Sequence, residues 1–234
     1  MPAWLCILLA VVVCSIIGVL TEKVAYKPLR GAPSLSVLIT AIAVSLFLEN
    51  LALLLFSSAP RPVSSIFDVE PIAVGPFQFS ATTIATILLS VAIMIGLQIF
   101  IKKTRLGKAM RAVSEDSQAA VLVGISTDRT ISLTFAVGSG LAAVAAVMYC
   151  TAYPQVQPYM GTMLGLKAFI AAVLGGIGSI PGAMLGGIVI GLVESLTKGY
   201  ISTRLADAVV FAILIIVLLV KPTGIMGKNV GEKV

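Results

Sequence analysis

The residues best able to take part in chemistry lie in one charged segment between apolar runs. Residues 105–129 read RLGKAMRAVSEDSQAAVLVGISTDR, with the basic residues first and the acidic residues after them. The leading basic residues, Lys102 to Arg111, are partly explained as anchors that orient membrane helices. The acidic residues that follow need a different explanation, because Asp and Glu contribute little to that orientation.

A short helix is predicted in the acidic half of this segment. Ser114 is a favourable N-cap, and Glu115 and Asp116 follow it in a first turn where the helix dipole favours negative charge. Gly124 can adopt the left-handed conformation that ends a helix. The helix is therefore expected at about 115–123. Its polar start and small middle residues suit docking against another protein, since it lacks the large apolar face of a helix on lipid.

The composition excludes a water-soluble fold and removes the groups that most enzymes use. Of the 234 residues, 59% are hydrophobic and only 11% are charged, whereas soluble domains carry roughly a quarter charged residues. The chain has no histidine, and its three cysteines lie in apolar runs without C-x-x-C spacing. No catalytic residue, metal site or directly bound cofactor is predicted, and the chain is not expected to be an enzyme. The net charge of +6 is better explained by membrane topology than by nucleic-acid binding, because the basic residues cluster beside apolar spans.

Seven apolar segments predict an all-α integral membrane protein. Crossing about 30 Å of hydrocarbon takes about 20 residues, and in lipid such a span must be helical. We expect one transmembrane domain over 1–234 with about six to seven transmembrane or re-entrant helices, the first of them a retained span and not a signal peptide. The segment pair joined by GGIGSIPG either crosses twice or dips in and returns to the outer face. The segments are 2–20, 35–56, 80–101, 130–150, 165–178, 182–197 and 207–220.

The basic residues also predict the orientation of these helices. Twelve of the sixteen lie in loop 21–34, in loop 102–129 and in the tail after the last span. The positive-inside rule places these parts and the C-terminus in the cytoplasm. The alternate loops, 57–79, 151–164 and 198–206, are then expected outside.

Four polar residues within apolar segments are candidates for a polar path through the membrane or for its gate, because polar groups inside a membrane are usually functional. Glu49 and Asn50 are costly in lipid and are expected to make either a structural polar contact or a contact with the path. If the last hairpin is centred near Ile180, Lys167 and Glu194 reach nearly the same depth and can pair close to the outer face. The alternative is that each reaches the outer interface separately.

Glycines recur every four residues in and after the hairpin connector. Small residues at this spacing favour close packing of helix backbones, and the alternative is a helix crossing at the transport path. The glycines are Gly178, Gly182, Gly186, Gly187 and Gly191.

A resemblance gives the charged segment a function. Gln118-Ala119-Ala120, three residues and then Gly124 resemble the EAA-x3-G signature of ATP-binding-cassette importer permeases, with Gln in place of Glu. In that family this segment forms the coupling helix that docks on the ATPase subunit. The resemblance thus implies ATPase coupling for Glu115 and Asp116 as well as for the signature residues Gln118, Ala119, Ala120 and Gly124.

Three ordered blocks widen this resemblance to most of the chain, from about Glu22 to Val234. RLGKAMRAVSEDSQAAVLVGISTDRTISLTF, LKAFIAAVLGGIGSIPGAMLGGIVIGLVESL and KPTGIMG are similar to the LivH-like permeases of branched-chain amino acid importers. Such a permease lies in the bacterial or archaeal cytoplasmic (inner) membrane, in contact with lipid. Its partners are ATPase subunits that bind ATP and magnesium, a second permease subunit in a heterodimer and an external substrate-binding protein.

The family usually begins with additional membrane-spanning sequence that contains an Asn-Phe-Ala-His-Gly-like block. This chain contains no such block, so it is expected to be a fragment, a late-start product or a divergent short form.

Other functions are compatible with parts of this sequence. Related permeases carry sugars, urea or amides, because the coupling segment matches the ATPase and not the solute. A secondary transporter would need intramembrane ligands, for which Glu49, Lys167 and Glu194 are the candidates. An intramembrane hydrolase would need a serine near Lys167, and the spacing places none there.

Overall fold

Helices make up most of the part of the chain that the structure describes. That part, in a computed structural model, comprises residues 3–63, 72–74, 77–79, 81–221 and 223–227. By their internal contacts the residues divide into two compact units, Met1–Pro158 and Tyr159–Val234, called unit 1 and unit 2 below. The predicted all-α membrane fold is confirmed, because six of the described helices are long and apolar enough to cross a membrane.

The described residues of unit 1 form six α-helices and short strands. A π-helical turn, Glu22–Tyr26, and a 3₁₀ turn, Lys27–Leu29, continue the first helix. The helices are α1 (Ala3–Thr21), α2 (Ser34–Phe56), α3 (Ala81–Lys103), α4 (Arg105–Glu115), α5 (Ser117–Leu122) and α6 (Thr127–Ala152). The strands are β1 (Arg61–Pro62), β2 (Ile72–Val74), β3 (Phe77–Phe79) and β4 (Gln155–Val156), with β1 antiparallel to β4 and β2 antiparallel to β3.

Small residues let α1 and α6 pack closely. A Cβ added at Gly18 would overlap the side chain of Ser139, and one added at Gly140 would lie 3.0 Å from Ser15 Oγ. Close approach of this kind is typical of membrane helices, which associate through packing because lipid provides no hydrophobic driving force between them.

The polypeptide turns sharply between α3 and α4. Thr104 caps α4 by accepting a hydrogen bond from Gly107 N at 3.0 Å, while its hydroxyl donates to Phe100 O at 2.6 Å. Gly107 faces the end of α3 so closely that an added Cβ would overlap the backbone of Ile101. The charged segment that follows is therefore held against a membrane helix at its start.

Unit 2 contains α7 (Met160–Gly175), α8 (Ile180–Tyr200), a 3₁₀ turn (Thr203–Leu205) and α9 (Ala206–Val220). Its core joins all three helices and is formed by Ile170, Ala171, Ile190 and Val210, with Phe211 and Leu214 packed against it. The predicted segment 165–178 is displaced in sequence: α7 begins at Met160 and ends at Gly175. The helix stops there because Gly176 and Gly178 have φ of +103° and +89°, which a continuing α-helix cannot accommodate.

The segment after α9 folds back onto the end of α7. Ile225 N–H donates to Leu174 O at 2.8 Å, and Met226 N–H donates to Gly175 O at 3.0 Å. These bonds satisfy carbonyls that the end of a helix leaves without partners. The KPTGIMG block thus has a structural role in unit 2, at the hairpin connector.

Candidate functional site

The charged segment 105–129 forms two successive helices, α4 and α5, joined at Asp116. The carboxylate of Asp116 caps α5, because Oδ1 accepts hydrogen bonds from Gln118 N at 2.9 Å and Ala119 N at 3.0 Å. A charged oxygen at this position satisfies free N–H groups and matches the helix dipole.

Two details of the predicted helix start were wrong. Ser114 is not a cap: it lies within α4, and its hydroxyl donates to Arg111 O at 2.8 Å. Glu115 is the last residue of α4 and not part of the first turn of α5. The reason is that α4 continues to Glu115, so the first free helix N–H groups come after Asp116, whose carboxylate accepts from them.

The predicted helix end at Gly124 is confirmed. Gly124 has φ of +83°, its N–H donates to Val121 O at 2.9 Å, and Ile125 N–H donates to Ala120 O at 3.0 Å. Together these bonds form a Schellman motif, in which a left-handed residue after the helix satisfies its last carbonyls. The end of α5 is therefore fixed by the backbone conformation of one glycine.

The surface of α5 combines one buried anchor with exposed apolar residues. Ala120 is only 2% exposed, so α5 packs against the rest of unit 1 through this residue, while Gln118 and Ala119 are exposed. Leu122 and Val123 are 88% and 75% exposed and lie outside the helices that could cross a membrane. Exposed apolar side chains outside the candidate spans, at the end of a capped helix, are typical of a protein-binding site.

The second candidate site is a charged cluster in unit 2 that joins its three α-helices. Lys167 Nζ in α7 lies 2.9 Å from Glu194 Oε1 in α8 and 2.8 Å from Asp207 Oδ1 in α9. Lys198 Nζ lies 2.6 Å from the same Glu194 oxygen. Of the two alternatives for Lys167 and Glu194, the structure contains the ion pair. Asp207 and Lys198 also belong to this charged cluster, and they were not predicted from the sequence.

The pair forms although the predicted hairpin centre was wrong. The turn lies at 176–179 and not at Ile180, so Lys167 is closer to it in sequence than Glu194. Side chains on a helix lean toward its N-terminus, which directs Lys167 away from the turn and Glu194 back toward it. The two side chains thereby converge.

Glu49 and Asn50 lie in α2, in unit 1. Asn50 is exposed, and its Nδ2 donates to Leu46 O in the same helix at 2.7 Å. Glu49 is partly exposed. For Asn50 this favours the structural polar contact, because bonding to the preceding turn reduces the cost of an amide in lipid.

Only part of the predicted glycine stripe packs closely. A Cβ added at Gly182 would overlap the Gly175 carbonyl, and one added at Gly186 would overlap the Ala171 carbonyl. Gly178 lies in the connector, Gly191 has open space, and a Cβ at Gly187 would make only an ordinary contact at 4.0 Å. Among the stripe residues, Gly182 and Gly186 are therefore the ones at which an added Cβ would overlap the α7 backbone.

A third polar group was missed entirely. Glu22, at the end of α1, is fully buried and binds Arg30 and Ser132, while Arg30 also binds Asp128. The available signal was a single acidic residue at the end of an apolar run, followed within eight residues by three basic ones. Its partners in α6 could not be inferred, because they are more than 100 residues away in sequence.

Comparison with known proteins agrees with this architecture. The family model described as branched-chain amino acid transport system, permease component, matches residues 1–218. The chain is 47% identical over 229 residues to the high-affinity branched-chain amino acid transport system permease protein LivH of Escherichia coli strain K12. The aligned residues cover 96% of this chain and 74% of that protein. LivH of Salmonella typhimurium is 45% identical with the same coverage. BraD of Pseudomonas aeruginosa, a permease protein of the same description, is 42% identical over 235 residues, with 96% of this chain and 75% of that protein covered. No solved structure matched.

The family match covers most of the chain, and the three relatives exceed 40% identity over 96% of it. The long apolar helices agree with the membrane location that such a permease requires. The chain therefore belongs to the family of permease components of branched-chain amino acid transport systems, and it is a multi-pass membrane transport subunit and not an enzyme.

Proposed function

We propose that this chain forms part of the membrane path for branched-chain amino acids in an ATP-binding-cassette importer of the inner membrane. Separate ATPase subunits bind ATP and magnesium and supply the energy. The observation that carries the proposal is α5, a short helix capped at both ends that exposes Leu122 and Val123 outside the candidate spans. It is the part of unit 1 best suited to be moved by a partner protein.

The proposed ATPase-coupling residues divide into those that shape α5 and those that face the partner. Asp116 and Gly124 define its two ends, and buried Ala120 holds it against the rest of unit 1. Gln118 and Ala119 are exposed beside the apolar residues Leu122 and Val123 and are proposed to contact the ATPase. Glu115, at the end of α4, adds negative charge beside that surface.

Contacts within unit 1 support the proposed orientation. Lys27 Nζ in the α1–α2 connection lies 2.7 Å from Asp128 Oδ2 at the start of α6, so two segments proposed to be cytoplasmic meet each other. At the other ends of the helices β1 pairs with β4, which brings together two loops proposed to be outside. Within loop 57–79, residues 64–71 and 75–76 lie outside the described residues.

The C-terminus is proposed to be cytoplasmic and the α7–α8 hairpin to cross the membrane twice. In unit 2 the segment 223–227 hydrogen-bonds to the end of α7 beside the hairpin connector, so both belong at the same membrane surface. At about 1.5 Å per residue, the 16 residues of α7 span about 24 Å, most of the hydrocarbon thickness.

Further partners follow from the proposed importer. An external binding protein would deliver the solute and select it. A second permease subunit would complete the path, and the exposed apolar surfaces of α2 and α3 leave room for lipid and such a subunit. The path or gate residues proposed on this chain are Glu49, Lys167 and Glu194, whereas Asn50, which hydrogen-bonds within α2, is proposed to be structural.

The substitution Gly124→Val tests the coupling role of α5. Valine is strained in the left-handed region, at a cost of roughly 1–2 kcal/mol, so the end of α5 should be distorted. The variant should insert in the membrane, co-purify less ATPase and lose leucine uptake. Gly96→Val in α3, where an added Cβ would meet no atom within 4 Å, is the matched control. Normal ATPase co-purification and uptake by Gly124→Val would contradict the proposal.

A further inference from the structure

The buried carboxylate of Glu22 is held by two segments of unit 1 that are distant in sequence. Glu22 is the first residue of the π-helical turn after α1, and its side chain is fully shielded from solvent. Oε1 accepts a hydrogen bond from Arg30 Nη2, and Oε2 accepts one from Ser132 Oγ at 2.6 Å. A buried carboxylate is tolerated here because both of its oxygens are paired.

Arg30 extends this contact to the surface. Its second terminal nitrogen, Nη1, donates to Asp128 Oδ1, while the other oxygen of Asp128 binds Lys27. Asp128 is 55% exposed, so an isolated pair at that position would contribute little to stability. The rigid guanidinium of Arg30 instead donates to both carboxylates, so it connects the exposed Asp128 with the buried Glu22.

Asp128 lies close behind the proposed coupling helix. Only residues 123–126 separate the end of α5 from the start of α6. The Schellman motif at Gly124 restrains the start of this connecting segment. Its end is restrained by Thr130, whose N and Oγ1 both donate to Ser126 O, at 3.1 and 2.9 Å. A displacement of α5 would therefore also displace Asp128, because the segment that connects them is short and hydrogen-bonded.

The other end of the network is α1, which packs on α6 through small residues. Gly18 faces Ser139, and Gly140 faces Ser15, so no large side chains interlock at these positions. Beside Glu22, the rings of Tyr26 and Phe135 are in tilted contact with centroids 5.1 Å apart. The turn after α1 is thus joined to α6 by charged and aromatic contacts, whereas the bodies of the two helices meet through small residues at Gly18 and Gly140.

We propose that Arg30 is a positioning residue of the transport cycle: it transmits displacement of α5 and the start of α6 to the end of α1. This inference rests on the function proposed above for α5. A purely structural Arg30 would only neutralise Glu22. The two roles can be separated at Asp128, because the Glu22–Arg30 pair remains when Asp128 loses its charge.

The test compares Asp128→Asn with Lys27→Gln in the complete importer, reconstituted in proteoliposomes with its ATPases and binding protein. Leucine uptake and ATP hydrolysis are measured together. Asp128→Asn should keep the ATPase bound but lower the leucine transported per ATP hydrolysed by about fivefold or more, the lower range of allosteric couplings. Lys27→Gln, which removes only the outer partner of the same carboxylate, should keep the wild-type ratio, and Asp128→Glu should restore much of it.

Two outcomes for the variants would overturn the inference. One is a wild-type ratio of transport to hydrolysis in Asp128→Asn. The other is a parallel loss of uptake, hydrolysis and assembled complex, which would indicate a structural role alone. A wild-type permease that binds no ATPase would instead overturn the proposed function, and this inference with it.

Discussion

Lys167 in α7 and Glu194 in α8 form an ion pair, with Lys167 Nζ 2.9 Å from Glu194 Oε1. Asp207 in α9 shares the same lysine, and Lys198 shares the same glutamate. Two positive and two negative groups thus join the three helices of unit 2 without net charge. Such compensation lowers the cost of ionised groups in apolar helices.

A double-mutant cycle tests whether the interaction between Lys167 and Glu194 contributes to the stability of the permease. Lys167→Met and Glu194→Gln should each lower the unfolding temperature of the purified permease in detergent, and the double substitution should cost less than their sum. The coupling energy is expected at about 0.5–3 kcal/mol, the usual range for residues in contact. Lys167→Arg, which keeps the charge, should stay close to wild type. Strict additivity of the two single effects would show that the groups do not interact.

Exchange of the two charges would be a less direct test of the pair. Lys167→Glu with Glu194→Lys would place a glutamate beside Asp207 and a lysine beside Lys198. We therefore expect the exchange to restore little stability or uptake. The neutral cycle avoids this complication.

Thiol labelling tests the proposed orientation of unit 1. Ala59→Cys lies after α2 and Ser117→Cys at the start of α5, and both positions are exposed. Cys6, Cys14 and Cys150 should first be replaced, because they are free thiols. An impermeant reagent added outside intact cells should label position 59 and leave position 117 unlabelled until the membrane is permeabilised. Labelling of position 117 in intact cells would reverse the topology. Ser65, in the same loop as Ala59, lies outside the described residues.

The membrane helices were largely predictable because each is one continuous apolar run of suitable length. The exception was 165–178, where hydropathy alone did not reveal that Gly176 and Gly178 form the turn. Both glycines continue the apolar run, and only the backbone conformation separates helix from connector. Apolar composition therefore identified the helix but misplaced its end.

The candidate sites were predictable where their signals are local. Gly124 ends α5 as expected, since a glycine after a short helical pattern is a strong stop signal. The start was misplaced because Ser114 and Asp116 both suit an N-cap, and only the length of α4 decides between them. The contacts of Glu22 depend on α6 and on tertiary packing, so no local pattern could have located them.

The central claim is that α5 docks on the ATPase through its exposed apolar end. The most direct measurement is the affinity of the purified ATPase for permease variants in detergent or nanodiscs. Leu122→Glu should weaken binding by about 30-fold or more, as expected when an interface anchor worth about 2 kcal/mol is lost. Ile177→Glu is the matched control, because Ile177 is 81% exposed in the α7–α8 connector, outside the candidate spans and proposed to lie on the same side of the membrane. Wild-type affinity for Ile177→Glu together with the loss for Leu122→Glu is the predicted result, and equal, unimpaired affinity for both variants would contradict the account.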